Sequence, residues 1–382
     1  MEIEGERMGE APVRLMLMMG RQIAVPAPEA VTDALLSAQI TVSAGQRSGF
    51  QLAFDLSKSG LINRTLLPSG FFDPPARVVL TAIVRGTPTV LMDGIILRHE
   101  VGISGVPGQS TLTLTGEDLT VLMDLEEREG VPYPAMGPAI RVATIIAQYA
   151  QYGIVPLVIP ELVPQTPLPT QRVDFQKGTD LGYLNELARA NGYVFYLDPG
   201  PVPGISKGYW GPEVRLGVPQ HALTVNSDHL SNVDQMTFGF DGSAKEQPVA
   251  RIQIPATKVA LLLPVPEVSV LRPPLAARPA PALKKKVIAD TAKKEPAQAV
   301  AEALAKAVES SDAVSGSGQL DVTRYGHVLR PRELVGVRGA GLTYDGLYYV
   351  KSVTHNLQRG SYTQNFTLAR EGLVSLTPAV IP

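Results

Sequence analysis

From Ala38 to Leu56 apolar and polar residues alternate, with Ile40 and Val42 and then Phe50, Leu52 and Phe54 on one face, and Gly45 and Ser48-Gly49 between the two runs. A period of two with turn chemistry at its midpoint predicts a β-hairpin. Arg77 to Val84, Thr89 to Val101 and Ser110 to Leu114 continue the pattern, punctuated by Pro74-Pro75, Gly86 and the turn-rich Gly102 to Gly108. Short strands at such close spacing predict a small barrel or sandwich. Upstream, the apolar run Leu15 to Met19, which carries Met16, Met18 and Met19, predicts a buried strand.

The period then changes. Ile140, Ala143, Ile146 and Ala147 recur at helical spacing, with Gly153 in the position of a helix stop. After the proline-rich stretch Pro156 to Pro169, Thr179-Asp180 predicts the start of a second helix. Leu181, Leu184, Leu187 and Ala188 form its apolar face, Asn191-Gly192 ends it, and a strand from Tyr193 to Leu197 follows. Pro199 to Pro212 predicts a loop in which Trp210, the single tryptophan, is a partly buried structural residue.

Val249 to Leu263 predicts strand again. The prolines from Pro264 to Pro281 then lead into Lys284-Lys285-Lys286, a pattern that predicts an extended linker with a solvated basic triplet. Ala297 to Val308 predicts an alanine-rich helix with Glu302 and Lys306 one turn apart, and Ser310 to Gly318 a flexible link. The last segment predicts strands over Leu334 to Val337, Tyr348 to Val353 and Tyr362 to Leu368, with Tyr344-Asp345-Gly346 as a turn.

Composition adds exclusions. With 34 Lys plus Arg against 36 Asp plus Glu, the net charge of −2 argues against a dedicated nucleic-acid binder. Charged residues make up 18% and hydrophobic ones 45%, consistent with surface hidden against other subunits. The absence of cysteine excludes disulfides, thiolate metal sites and cysteine nucleophiles. Glu2, Glu4 and Glu6 precede a short apolar run, the reverse of a signal peptide and too short for a membrane span, so a soluble cytosolic product is expected.

Candidate chemistry is sparse. His99, His221, His229, His327 and His355 show no metal-ligand spacing, so neither metal nor cofactor is expected. His355, beside Thr354 and Asn356, lacks a nucleophile elbow and is expected to be a structural residue at a strand end. Asp124, Glu126 and Glu127 are the acids a glycosidase would need, yet adjacent carboxylates on a short helix normally face solvent. Gly336, Gly339 and Gly341 lie between predicted strands and are expected at bulges or turns.

Two stretches carry a family resemblance. Gly178 to Ala188, with Thr179, Asp180, Leu184 and Leu187, followed by Asn191-Gly192 and the aromatic strand Tyr193 to Tyr196, resembles the helix and strand of phage late control protein D. The hub region of VgrG-like type VI secretion spikes carries the same pattern. Leu329 to Arg370, with Gly336, Tyr344, Asp345, Gly346, Tyr349, Val350, His355 and Tyr362, resembles that family's C-terminal barrel. A looser likeness, through Gly49 to Asp55, Gly94 and Gly116 to Leu119, extends the match over most of 35–375.

The resemblance implies a mainly β fold with an α+β insertion, in which two small β-barrel domains per chain form a pseudo-sixfold ring in a homotrimer. It implies an N-terminal extension over 1–34, a first barrel over 35–135 and an α/β insertion over 136–240. Return strands over 241–263, a linker with a helix over 264–318 and a second barrel over 319–382 complete the scheme. The implied function is that of a structural baseplate hub joining a hexameric tail tube to a trimeric spike, in contact with other baseplate subunits. Such a protein is assembled in the cytoplasm and resides in the baseplate of a phage virion or phage-tail-like particle. No spike-like repeat follows within the sequence, so the spike tip is expected to be a separate protein. A tail-associated peptidoglycan-degrading enzyme and a carbohydrate-binding adhesin are the alternatives, the latter disfavoured by 6% aromatic residues.

Overall fold

The computed structural model describes residues 2–3, 13–106, 108–161, 173–227, 231–253, 260–264, 272–288, 312–377 and 380. His229 and the helix expected over 297–308 lie outside the described residues.

The predicted hairpin forms with Ile40 opposite Phe50 and Ala38 opposite Leu52, its strands spanning Leu35–Ser43 and Gly49–Asp55. Gly49–Asp55 pairs with Thr111–Asp118, that strand with Thr87–Gly102, and that one with Arg77–Val84. Val13–Gly20 then pairs with Arg77–Val84 along its whole length, so the 1–34 segment supplies a strand to this first half. Leu15, Leu17 and Met19 point into the core while Met16 is exposed, as a period of two requires.

The second half is built the same way. Gly346–Gln358 pairs with Ser361–Arg370, and that strand with Val314–Asp321, which pairs in turn with Val233–Phe240. On the other side Leu334–Arg338 joins Gly346–Gln358, and Gln220–Thr224 joins Leu334–Arg338. Among the described residues each half therefore contains six strands, and short pairings of Glu2–Ile3 and Val25–Pro26 with Val13–Gly20 bring the sheet to 14 strands. In the second half, Asn232 stitches the end strands together: its N–H donates to Thr224 O at 3.0 Å and its amide to Ala222 O at 2.9 Å.

Leu35–Ser43 and Gly346–Gln358 join the halves by direct pairing, from Ser43 opposite Ser352 to Ser37 opposite Gln358. One hydrophobic cluster runs through both halves, from Ile40, Phe54 and Leu114 to Tyr348, Val353 and Phe366. Between them in sequence, helices Pro138–Ala147 and Asp180–Asn191 pack on a small sheet in which Ser206–Gly211 lies between Ile154–Val158 and Val194–Pro199. Their core of Ile145, Ile146, Leu184 and Trp210 continues into Ile95, Leu119 and Met123 of the first half.

Several expectations are corrected. The Pro199 to Pro212 stretch is not loop throughout: its prolines flank Ser206–Gly211, which pairs on both sides, and Trp210 is fully buried edge-on against Tyr193 at 4.7 Å. Ser310 to Gly318 is not a flexible link, because Val314–Asp321 is an interior strand. Its small residues clear space for rings: a Cβ on Gly316 would lie 2.9 Å from the Phe238 ring, and one on Gly318 2.6 Å from the Phe366 ring. The linker over 264–318 also carries pairing, with Ala276–Pro279 on Gly372–Ser375 and Lys284–Ile288 parallel to Glu246–Gln253. His355 is not at a strand end but inside Gly346–Gln358, opposite Ile40 and Gln364.

Ile40 is fully buried at the seam. Replacing it by Ala should cost about 2–5 kcal/mol, the usual range for a buried aliphatic truncation. Urea denaturation checks this, and a loss under about 1 kcal/mol would show that the seam is not part of the cooperative core.

Candidate functional site

Gly346–Gln358 is the element around which the charged and polar groups gather. Leu334–Arg338 and Leu35–Ser43 share one of its edges, and on the opposite edge the register with Ser361–Arg370 shifts between Val350 and Ser352, level with the point where the first partner gives way to the second. Such a bulge turns Lys351 out of the ladder. Its carbonyl accepts from Ala44 N–H at 2.7 Å, and Arg332 ties the same corner by donating to Ser43 O at 2.8 Å. The Lys351 ammonium reaches Asp312 at 3.1 Å.

Asp312 is the centre of a charge cluster. Arg215, almost fully buried, donates two parallel bonds of 2.8 Å to its carboxylate and a third of 2.7 Å to Glu213. Arg272 adds a contact of 3.1 Å to Asp312, and the Arg215 guanidinium lies 4.7 Å from the Tyr349 ring centre. Burial alone would push the Asp312 carboxyl up, but Arg215, Arg272 and Lys351 outweigh it and hold it well below the usual carboxylate range.

A second buried pair fixes the insertion. Arg77 donates to both Asp93 oxygens at 2.8 and 2.7 Å, and its remaining hydrogens reach the carbonyls of Gln22, Tyr152 and Gly204 at 3.0, 2.8 and 3.0 Å. Ser206 donates to the same Asp93 carboxylate at 3.3 Å. One guanidinium thus joins the first half, the chain after Gly20 and two loops of the insertion.

The family-signature residues fall in three places. Thr179 caps its helix, its hydroxyl accepting from Gly182 N–H at 3.1 Å while donating to Asp124 at 2.6 Å. Asp124 also pairs with Arg47 on the Ala38 to Leu56 hairpin, so it is not simply a solvated carboxylate. The Thr179 hydroxyl, ahead of Arg47, holds the Asp124 carboxyl below the usual range. Asp180 is buried and accepts from Tyr149 at 2.7 Å and Gln176 at 2.6 Å. Leu184 is fully buried, Leu187 packs at the edge of the same core, and Gly192 ends the helix with φ +68°.

The Tyr344-Asp345-Gly346 turn is held from beneath by buried Arg370, which donates to the carbonyls of Thr343, Asp345 and Gly372 at 2.9, 3.0 and 2.9 Å and stacks on Tyr348 at 4.3 Å. The Asp345 side chain accepts from Ala340 N–H at 2.7 Å. Gly346 has φ +112°, and a Cβ there would strike Ser375 at 2.1 Å. Gly336 is not at a bulge or turn but mid-strand, where a Cβ would meet Val380 at 2.4 Å. Gly339 and Gly341 have left-handed φ beside the turn. Tyr349 and Val350 are core residues of the long strand.

His355 and Tyr362 form the third group. Leu329 N–H donates to Gln364 Oε1 at 3.0 Å, which fixes the amide so that Nε2 donates to Leu329 O at 2.9 Å and to His355 Nδ1 at 3.2 Å. Nδ1 is therefore an acceptor, Tyr362 donates to it at 2.8 Å, and the ring proton sits on Nε2. Burial pushes the His355 pKa down to about 3, so the ring is neutral near pH 7.

His221 and His327, far apart in sequence, stack at 3.6 Å, and burial, then His221 and Arg85, lower the His327 pKa. Among the described residues no group of three or more acids and histidines is placed to hold a metal. Reading of the sequence missed Arg77, Asp93, Arg215, Asp312, Arg370 and Gln364. The one available signal was Asp93, a lone charge in the apolar run Val90 to Leu97.

The sequence matches no family model and no curated protein. Solved structures share the fold. A tail protein from Neisseria meningitidis MC58 superposes with a TM-score of 0.62 at 15% identity, over 94% of this chain and 98% of that one. The 43 kDa tail protein of prophage MuSo2 from Shewanella oneidensis gives 0.58 at 12% identity, over 94% and 98%. The E. coli c3393 protein, a component of the type VI secretion system described as similar to T4 tail proteins gp27 and gp5, gives 0.54 at 12%, over 91% and 77%.

Two outcomes follow from the geometry. Arg77→Met leaves the Asp93 charge buried and should cost about 3–5 kcal/mol, while the double variant R77M/D93L should recover part of that loss; denaturant titration of both decides, and additive losses would refute a coupled pair. His355 takes up protons more readily unfolded than folded, so its contribution is complete above about pH 6.5 and is lost as pH falls toward 3. The loss has a slope of up to ~1.4 kcal/mol per pH unit. H355Q should flatten that slope in urea titrations between pH 7 and 4.

Proposed function

We propose that this chain is the structural hub of a contractile tail or contractile injection system, a symmetry adaptor between a sixfold tail tube and a threefold spike. The observation that carries the reading is the pair of six-stranded halves joined by direct pairing of one strand from each, Leu35–Ser43 with Gly346–Gln358. Three copies of such a chain present six β units, and closed rotational symmetry then offers six sites on one side and three on the other. The end-to-end likeness to tail proteins supports it.

In this proposal the first half forms one barrel, over 35–135 with Val13–Gly20 added. Of residues 136–240, the helices and the three-stranded sheet through Ser206–Gly211 form the α/β insertion, whereas Gln220–Thr224 and Val233–Phe240 join Val314–Asp321 and 319–382 in the second barrel. The signature residues act as supports. Thr179 and Asp180 seat the insertion, and the turn at Tyr344 to Gly346 sets the entry of the long strand. Hexameric tube protein, a trimeric spike and other baseplate subunits are the partners, and the baseplate of a virion or tail-like particle is the location.

The enzymatic alternative draws less support. A glycosidase acid needs a raised pKa, whereas Asp124 is held ionised by Thr179 and Arg47.

Native mass spectrometry of the full chain should give a trimer, and co-purification should recover tube and spike proteins encoded beside it. A monomer at all concentrations with no affinity for either would overturn the proposal.

A further inference from the structure

The strand Thr87–Gly102 outruns its partner. Pairing with Arg77–Val84 ends at Ile95, and Ile96 N–H makes the last contact on that side, to Ala76 O at 2.8 Å. After a register shift at Leu97, the strand from Arg98 to Gly102 is paired only with Thr111–Asp118, and its other backbone edge carries no strand among the described residues. Opposite the buried Leu114 and Leu112 lie His99, its Nδ1 3.7 Å from Asp73, and Val101, 39% exposed; Leu97, at the register shift, is 41% exposed and Ile103, just past the strand, 86%. Val101 thus continues the core-facing row past the point where Arg77–Val84 ends, with Leu97 and Ile103 as exposed apolar neighbours.

The second half leaves a complementary edge. Val233–Phe240 pairs with Val314–Asp321, and beyond the Asn232 stitch its other side is unpaired among the described residues. Its core-side row is Met236, Phe238 and Phe240. Phe238 packs on Tyr344 at 5.1 Å, while Phe240 at the end is 43% exposed. Neither edge carries an uncompensated charge to repel the other: Arg98 pairs with Glu100, and Asp234 with Arg324.

We infer that these two edges meet between copies, the Val233–Phe240 strand of one chain adding to the Leu97–Gly102 edge of the next, so that Met236, Phe238 and Phe240 cover Leu97, Val101 and Ile103. Strand addition suits both surfaces, since unpaired backbone supplies affinity and the alternating apolar row sets the register. The contact is heterologous, joining different patches on the two copies, and such a contact closes into a ring when its rotation permits. It rests on the trimeric reading and names the surface that would make the trimer.

The test uses the full chain, with Val101→Lys and, separately, Phe240→Lys; both side chains are partly exposed, so the single chain should fold, as far-UV circular dichroism verifies. Sedimentation should show the wild type as a trimer and each variant associating about tenfold or more weakly, the scale of losing one central interface side chain. Amide exchange should be slowed at 97–102 and 234–240 in the trimer relative to the V101K chain. A trimer retained by both variants, with those amides exchanging freely, overturns this contact while leaving the trimer intact. A wild type that is monomeric throughout overturns the trimer and the contact together.

Discussion

The pairing of Leu35–Ser43 with Gly346–Gln358 is the constraint on which the rest of the molecule depends. Strands about 310 residues apart in sequence close the two halves into one sheet with one continuous core, so neither half completes its hydrogen-bond ladder alone. The long strand serves two partners on one edge, and its register shift against Ser361–Arg370 falls at Lys351, level with the change of partner. Contacts of such sequence separation carry a large loop-closure cost before they return any stability.

That arrangement explains where the buried charges sit. A bulge exposes backbone groups and turns a side chain out of the ladder, and here Lys351, Arg332 and the Asp312 cluster occupy the corner it creates. The Arg77–Asp93 pair does the same work where the insertion meets the first half, since one planar guanidinium can reach a carboxylate and three carbonyls in different segments. Buried pairs of this kind add little net stability but penalise any misplacement strongly, so they specify how separate layers dock. Arg370 under the Tyr344 to Gly346 turn follows the same logic with carbonyls in place of a carboxylate.

Local structure was legible wherever local chemistry governs it. The Ala38 to Leu56 hairpin, the capped helix from Asp180 to Asn191 and the Asp345-Gly346 turn follow from alternation, a threonine cap and turn residues. Prediction failed where a neighbour overrides composition. Ser315 to Gly318 has the composition of a linker, yet its glycines are small because Phe238 and Phe366 lie across them. Proline-flanked Ser206–Gly211 is a central strand because, besides its hairpin with Val194–Pro199, it pairs in parallel with Ile154–Val158 from well upstream. The candidate site was legible only in its turn and cap, because Arg77, Asp312 and Gln364 are held by Asp93, Arg215 and Leu329, each 16 or more residues away.

The sequence by itself determined a mainly β chain without cysteine, two β-rich segments flanking a helical insertion, and the turns and caps that start and stop its elements. These depend on residues a few positions apart, whose spacing fixes which side chains share a face. Only the tertiary structure decided that the two β segments are one sheet, that Lys351 marks the change of partner, and that His355 is an interior acceptor rather than a strand-end residue. Those features arise from pairing between distant strands and from burial, and neither is encoded in any local window.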